Sequence, residues 1–130
     1  MRLLRDTHAF LWWATAPDRL PGTARSVIED PAAEIYLSAA SAWEVRIKQG
    51  IGRLRLDEPW VMIVEREVNT NGLRRLPVTF SHTNGLEPLP PLHRDPFDRI
   101  LIAQALVEEM TLVSGDAIVR EYPDVRVVWE

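Results

Sequence analysis

The sequence contains no cysteine, and its only lysine is Lys48. Without cysteine, disulfide bonds, zinc sites built from thiolates and cysteine nucleophiles are excluded, and the composition is compatible with a reducing cytosol. No apolar run approaches the length that spans a bilayer, and the start, Met-Arg-Leu-Leu-Arg-Asp, lacks the apolar centre of a signal peptide. We therefore expect a cytoplasmic protein that does not contact a membrane.

The size and composition of the chain predict one folded domain that spans residues 1–130. Hydrophobic residues make up 46% of the sequence and charged residues 26%, as in ordinary globular domains, and no repeat or biased tract is visible. The formal net charge of −4 argues against broad, non-specific affinity for nucleic acid. It does not exclude a local site whose charge is inverted by bound cations.

Apolar strand patterns alternate with helical patterns along the chain. We predict helices at residues 7–16, 21–29, 39–49, 59–71, 97–110 and 116–121, and strands at 2–5, 34–38, 73–77, 111–114 and 125–129. Residues 86–96 hold four prolines and should form a stiff, extended loop. The alternation predicts an α/β fold, with a central, mainly parallel sheet of about five strands flanked by helices.

Two carboxylates lie just beyond the ends of predicted strands. Asp6 comes after the first strand and Asp116 after the fourth. Because the carboxyl ends of parallel strands share one edge of a sheet, these side chains can converge there. Asp is also a preferred N-cap, so each acid has a purely structural alternative.

Two further carboxylates lie on helical stripes that should be apolar. Glu44 interrupts the stripe formed by Ala40, Ile47 and Ile51, although Ser41 and Glu44 also have the spacing of a capping box. Such a box would begin the helix three residues later than the end of the preceding strand implies.

The segment Asp95-Pro96-Phe97-Asp98 contains two acids whose positions in the predicted helix indicate different roles. Proline is favoured at the first helical position, which makes Asp95 the natural N-cap and places Asp98 in the first turn. Asp98 precedes Ile102 by four residues and so shares the buried stripe. We assign Asp95 mainly to capping and keep it as a second candidate, and we assign Asp98 to chemistry.

Four converging carboxylates predict a site for hard metal ions. Close like charges raise each other's pKa and destabilise a fold unless cations compensate for them. Ligation by oxygen alone suits Mg²⁺ or Mn²⁺, and such ions can activate water for attack on a phosphodiester. The protein would then need no histidine base.

Four blocks of the sequence resemble the PIN-domain toxins of VapBC toxin–antitoxin systems. They are residues 3–8 (LLRDTH) with 11–13 (LWW), 38–44 (SAASAWE), 93–99 (HRDPFDR) with 102–105 (IAQA), and 111–116 (TLVSGD). The blocks occur in family order and cover nearly the whole chain. The resemblance implies a PIN-like three-layer fold and a Mg²⁺-dependent endoribonuclease, with Mn²⁺ as a substitute ion. It also implies a cognate antitoxin partner and a homodimer.

Carried over to this sequence, the resemblance implies that Asp6, Glu44, Asp98 and Asp116 are the catalytic, metal-binding acids. Asp95 matches a frequent extra acid. The chain departs from the family at residues 114–116, where many relatives have Thr, a variable residue and then Asp or Asn; Ser114 keeps the hydroxyl. We expect the antitoxin to bind near the rim of the site and to block it.

Substrate contacts are expected from Thr7, Arg94, Arg99 and Ser114. A basic margin for RNA phosphates would add further residues, namely Arg46, Lys48, Arg53 and Arg55, although solvated surface charge is the simpler interpretation. For Arg99 the alternative is a salt bridge with a neighbouring acid.

The histidines and tryptophans predict mainly structural roles. His8, His82 and His93 lack the close pairing of a metal-binding helix, so we expect structural or surface positions, with His93 near substrate as the alternative. Trp12 and Trp13 are about 100° apart on a helix, so one of them should lie at an interface. The remaining tryptophans should be buried or partly buried: Trp43, Trp60 and Trp129.

Two other functions fit the pattern less well. A catalytically silent PIN-like module that only binds a partner would not need the acids intact. A receiver-type phospho-acceptor domain requires an acidic pair after the first strand and a lysine on a late strand. This chain has Asp6 alone there, and its one lysine is Lys48.

Overall fold

Five parallel strands form a single sheet at the centre of the protein. In the computed structural model, which describes all 130 residues, the strands are β1 (Arg2–Arg5), β2 (Glu34–Ser38), β3 (Arg74–Leu76), β4 (Thr111–Val113) and β5 (Val127–Val128). Their order across the sheet is β3-β2-β1-β4-β5. The predicted parallel α/β fold is therefore confirmed.

Six helices cover the two faces of this sheet. They are α1 (Thr7–Thr15), α2 (Gly22–Glu29), α3 (Ala39–Gly50), α4 (Trp60–Asn71), α5 (Phe80–Asn84) and α6 (Pro96–Val107), with 3₁₀ turns at Pro17–Arg19 and Val119–Glu121. None of them combines the length and the apolar character needed to cross a membrane.

The alternation of side chains along a strand divides the interior into two layers. Leu3 of β1 packs in a cluster with Phe10, Trp60 and Ile63 of α1 and α4. Its neighbour Leu4 points to the other face and packs in a cluster with residues of α6, among them Leu101 and Ile102. The sheet thus has helices on both sides.

Three predicted elements differ from the structure. Residues 86–96 form a series of turns and not an extended loop, because Leu89 N–H donates to the Leu86 carbonyl and Leu92 N–H to the Pro90 carbonyl. The predicted helix at 116–121 is only the 3₁₀ turn Val119–Glu121, and the last strand is limited to Val127–Val128.

The short helix α5 was not predicted. It is held by a reciprocal cap in which Thr79 Oγ1 accepts from His82 N–H, and His82 Nδ1 accepts from Thr79 N–H. His82 is fully buried and its Nε2 lies 2.7 Å from Glu108 Oε2, so its predicted structural role is confirmed.

One ion pair is buried beside the first strand. The Arg5 side chain is 1% exposed, its Nη1 lies 3.8 Å from Glu67 Oε1, and its guanidinium carbon lies 5.0 Å from the centre of the Phe10 ring. Glu67 Oε2 also accepts from Asn71 Nδ2. Burial lowers the pKa of Arg5 to about 10, with Glu67 opposing the change.

Candidate active site

Acids follow three neighbouring strands, β2, β1 and β4, at one edge of the sheet. Asp6 directly follows β1 at the centre of this edge and is buried. Its Oδ1 accepts from Ala9 N–H at 2.8 Å, so Asp6 is also the N-cap of α1. Burial raises the pKa of Asp6, and hydrogen bonding from the Ser114 hydroxyl and from Ala9 N–H opposes this effect.

Glu44 enters the same site from α3. Helix α3 begins at Ala39, directly after β2, and is capped by Ser38, whose Oγ accepts from Ala40 N–H. The alternative capping box between Ser41 and Glu44 is therefore wrong. Glu44 is buried, with Oε1 accepting from Thr7 Oγ1 at 2.6 Å and Oε2 2.8 Å from Lys48 Nζ.

Asp95 and Asp98 occupy the N-terminus of α6. Asp95 is the N-cap, as predicted, and its Oδ1 accepts from Phe97 N–H at 2.8 Å. The Asp98 carboxylate lies in the first turn and borders the pocket. Burial raises the pKa of Asp98 to about 7, and the carboxylates of Asp95 and Asp6 contribute to the increase.

Asp116 lies after β4, on the far side of Asp6. Its Oδ1 accepts from Ile118 and Val119 N–H groups, and its Oδ2 lies 2.9 Å from His93 Nε2. Burial raises the pKa of Asp116, but the His93 hydrogen bond and the two backbone donors outweigh that effect and lower it.

His93 lies in the pocket, for which the sequence offered only its secondary alternative, a position near substrate. Its Nε2 lies between Asp116 Oδ2, at 2.9 Å, and Asp98 Oδ2, at 3.1 Å. Burial lowers the pKa of His93, but the hydrogen bond to Asp116 and the nearby carboxylates outweigh burial and raise it. A lone histidine ahead of a predicted N-cap carries no periodic signal, so the sequence offered little to indicate this position.

The acidic pocket, as we call this cavity, encloses about 610 Å³. Its lining comprises 15 residues, of which two are hydrophobic: Asp6, Thr7, His8, Trp12, Arg19, Pro21, Glu44, Lys48, His93, Asp95, Asp98, Gly115, Asp116, Trp129 and Glu130. All four predicted acids and Asp95 border it. So does Thr7, one of the four residues expected to contact substrate.

Three of the expected substrate contacts do not line this cavity: Arg94, Arg99 and Ser114. Arg99 Nη1 donates to the Pro90 carbonyl at 3.0 Å and to the Tyr122 hydroxyl at 3.1 Å, so it stabilises the loop before α6. Ser114 is buried and its Oγ accepts from Asp116 N–H. Their roles in substrate binding stay predictions.

Trp12 and Trp129 form an aromatic wall that lines the same pocket as the acids. Trp12 packs against Trp129, with ring centres 5.7 Å apart, and the Arg19 guanidinium lies 4.6 Å above the Trp12 ring. A Cβ at Gly115 would lie 2.6 Å from the Trp129 ring, so Gly115 allows this ring to pack against the loop that carries Asp116.

The tryptophan predictions are only partly correct. Trp60 is buried and Trp129 partly buried, as expected. Trp43 is 65% exposed and forms a T-shaped contact with Phe97, so its predicted burial is wrong. The reason is that Trp43 borders an open apolar groove and not the core.

The donor set fits a hard divalent cation. One ligand atom each from His93, Asp98 and Asp116 lies within 4.8 Å of the others, and Asp6 and Glu44 border the same cavity. Carboxylate oxygens are the preferred ligands of Mg²⁺ and Mn²⁺. Burial raises the pKa of both Asp6 and Asp98, and a cation bound beside them would favour their ionised forms.

The family of this chain is identified by a match to a protein-family model. Residues 3–125 match the family model for the PIN domain. The chain belongs to the PIN-domain family. The match includes all four acids of the pocket and, except for Arg2, the strands β1, β2 and β4.

Relatives of this PIN domain include ribonucleases. It is 30% identical to Ribonuclease VapC22 of Mycobacterium tuberculosis (strain ATCC 25618 / H37Rv) over 130 residues, covering 97% of this chain and 95% of that protein. It is 37% identical to Ribonuclease VapC16 of the same strain over 59 residues, or 45% of this chain and 42% of that protein.

Solved structures share the fold of this PIN domain. VapBC2 from Rickettsia felis, crystallised with a DNA fragment from the promoter, matches with a TM-score of 0.73 at 14% identity over 100% of both chains. VapBC-1 from nontypeable Haemophilus influenzae matches with a TM-score of 0.63 at 13% identity, over 98% of this chain and 97% of that one. FitAcB from Neisseria gonorrhoeae matches with a TM-score of 0.59 at 19% identity, over 96% of this chain and 95% of that one.

Proposed function

We propose that this PIN domain is a metal-dependent endoribonuclease and the toxin of a type II toxin–antitoxin pair. The observation that carries the proposal is the convergence of Asp6, Glu44, Asp98 and Asp116 on one polar pocket. The family relationship with VapC ribonucleases supports it independently of that geometry. PIN-domain nucleases are generally dependent on divalent metal ions.

Asp6, Asp98 and Asp116 would hold Mg²⁺, with Mn²⁺ as a substitute. A bound divalent cation supplies an activated water and stabilises negative charge on a phosphodiester. Asp98 would gain most from the cation, because its pKa is raised to about 7 by burial and by neighbouring carboxylates. The Asp6 carboxylate is held in place because it caps α1, and the Asp116 carboxylate because it accepts from two backbone N–H groups.

Glu44 is the fourth acid, but the chain already compensates for its charge. Thr7 holds one carboxylate oxygen and Lys48 neutralises the other. We therefore expect cation affinity to depend less on Glu44 than on Asp98. Glu44 would keep Thr7 and Lys48 in place at the edge of the substrate path.

The aromatic wall provides a candidate contact for RNA. Arg19 is exposed, forms no ion pair and is held over the ring of Trp12. An unpaired guanidinium beside the acids can bind a phosphate next to the scissile one. Arg94, exposed beside His93, is a second candidate.

A protein partner would explain the exposed apolar surface on the other side of α3. The apolar groove encloses about 570 Å³ between α3 and α4, and eight of its 12 lining residues are hydrophobic, including Trp43 and Val61, both more than half exposed. Interfaces are enriched in such aromatic residues. We expect a cognate antitoxin to bind this groove and to reach the rim of the acidic pocket, and the VapBC and FitAcB complexes support such a partner. The homodimer is expected from the family resemblance alone.

RNA cleavage by the purified chain tests the proposal. A single-stranded RNA and a DNA of the same sequence would be incubated with Mg²⁺ or with EDTA. Asp98→Asn is the test variant, and Asp18→Asn is the control because Asp18 is 98% exposed and lies outside the acidic pocket.

We expect wild type and Asp18→Asn to cleave RNA with Mg²⁺ and not with EDTA, and Asp98→Asn to be inactive. Undiminished cleavage by Asp98→Asn would refute the site. Binding of Mg²⁺ without cleavage of any RNA would instead favour the silent binding module.

A further inference from the structure

His93 is held at both ring nitrogens and at its backbone. Its Nδ1 accepts from the Asp95 N–H at 3.1 Å, and its backbone N–H donates to the Tyr122 hydroxyl at 2.8 Å. Its Nε2 lies 2.9 Å from Asp116 Oδ2 and 3.1 Å from Asp98 Oδ2. The ring is thus fixed between the loop before α6 and the two acids.

These contacts determine which ring nitrogen carries a proton. Nδ1 must present its lone pair, because the Asp95 N–H points at it. In the neutral ring the proton is then on Nε2, which donates to the carboxylates. A cation on Nε2 would require that nitrogen's lone pair and would force the proton onto Nδ1, against the Asp95 N–H.

We propose that His93 is a positioning residue, whose Nε2–H holds the Asp98 and Asp116 carboxylates in place for the cation and which is not itself a ligand. This inference rests on the proposed function, since it concerns the same metal site. Hydrogen bonds to ligating carboxylates commonly set their orientation and the affinity of the site.

The same pattern of hydrogen bonds occurs at a second histidine, His82, which lies outside the acidic pocket. His82 accepts a backbone N–H on Nδ1, from Thr79, and its Nε2 lies 2.7 Å from the Glu108 carboxylate. There the imidazole joins the cap of α5 to the end of α6. His93 joins the cap of α6 to the loop after β4 in the same way, so it bridges two elements that each contribute one acid.

Asp95 acquires a role from this geometry. Its carboxylate caps α6 through Phe97 N–H, and its own N–H orients the ring of His93. Asp95 would therefore support the site through His93 and through the first turn that carries Asp98, and not by ligating the metal.

The first test compares two substitutions of His93. Glutamine keeps an N–H donor at a similar reach, whereas alanine removes it. Asp18→Asn is the control, because Asp18 is 98% exposed and lies outside the acidic pocket. Mn²⁺ affinity would be measured by calorimetry, with metal-free thermal unfolding as a check on the fold.

We expect His93→Ala to bind Mn²⁺ about 10–100-fold more weakly than wild type. His93→Gln should lie closer to wild type than to His93→Ala, and Asp18→Asn should bind as wild type does. Equal affinity of His93→Ala and wild type, or equal weakening by Gln and Ala, would overturn the proposal.

A spectroscopic test separates positioning from ligation. Electron spin echo measurements on bound Mn²⁺ detect a directly bonded imidazole nitrogen, and we expect none in the wild type. A directly bonded nitrogen that disappears in His93→Gln would show that His93 is a ligand and would overturn the inference.

The protonated nitrogen is measured separately, by nitrogen NMR of the imidazole in the metal-free protein at a pH where the ring is neutral. We expect the proton on Nε2, and a proton on Nδ1 would overturn the inference. A wild-type chain that binds no Mn²⁺ would defeat the proposed function, while this NMR result would still decide the orientation of His93.

Discussion

Two regions of the molecule bury charge in opposite ways. Between β1 and α4, the chain pairs Arg5 with Glu67, both almost fully buried. One residue further along the chain, Asp6 enters the acidic pocket with Asp98 and Asp116, and the only basic side chain that contacts the latter two is His93.

The difference indicates which region is structural and which is functional. Burial also opposes the charge of Arg5, lowering its pKa to about 10, but the Arg5–Glu67 pair has charges of opposite sign and no net charge. In the acidic pocket the pKa values of Asp6 and Asp98 are raised, chiefly by burial, so ionising these two carboxyls costs stability when no cation is bound. A bound cation would remove that cost, which is the physical basis for placing the metal there.

The largest stability effect should come from breaking the compensated pair. Arg5→Met leaves Glu67 buried without its partner and should lower the free energy of unfolding by about 3–5 kcal/mol. Urea denaturation measures this change. The double variant Arg5→Met with Glu67→Leu should recover most of the loss, and failure to recover it would show that the cost arises from packing and not from the unpaired charge.

Asp98, an acid with a raised pKa, should make the stability of the metal-free protein depend on pH. The pKa of Asp98 is about 7 in the folded protein, above its ordinary value of 3.8. Between these values the folded state binds more protons than the unfolded state, so stability in EDTA should fall as pH rises from about 4 to about 7. Unfolding of Asp98→Asn should lack this contribution, and an identical pH profile in the two proteins would contradict the assignment.

Sequence reasoning located the acids because parallel strands share an edge. Asp6 and Asp116 lie just after strands. Asp98 lies in the first turn of a helix that Pro96 begins, so local sequence rules were sufficient to locate these three acids. His93 could not be predicted in this way, because its position depends on turns in residues 86–95 and on Tyr122, almost thirty residues away in the chain. Trp43 was assigned to the interior because nothing in a helical stripe distinguishes a core from an open groove.

A smaller effect is expected at the loop that carries Asp116. Gly115→Ala places a Cβ 2.6 Å from the Trp129 ring, so the ring or the loop must move. We expect a loss of about 1–3 kcal/mol in stability and a reduced rate of RNA cleavage. Gly22→Ala is the control, because no atom lies within 4 Å of its added Cβ. Equal behaviour of the two variants would argue against coupling between Trp129 and Asp116.

The smallest effect should appear at the aromatic wall. Arg19→Gln should raise KM for RNA by a few fold, leave kcat unchanged and reduce the salt dependence of binding by about one phosphate contact. Arg25→Gln is the control, since Arg25 already pairs with Asp18 and Glu29 outside the pocket. An unchanged salt dependence in Arg19→Gln would exclude a phosphate contact there.

Calorimetric titration of Mg²⁺ into the metal-free protein, at a pH above 7 where the Asp98 carboxyl is ionised, tests the central claim most directly. The uncompensated acids predict saturable binding to the wild type, retained in Asp18→Asn and lost in Asp98→Asn. Absence of binding to the wild type, or equal binding to Asp98→Asn, would contradict the assignment of the acidic pocket as a metal site.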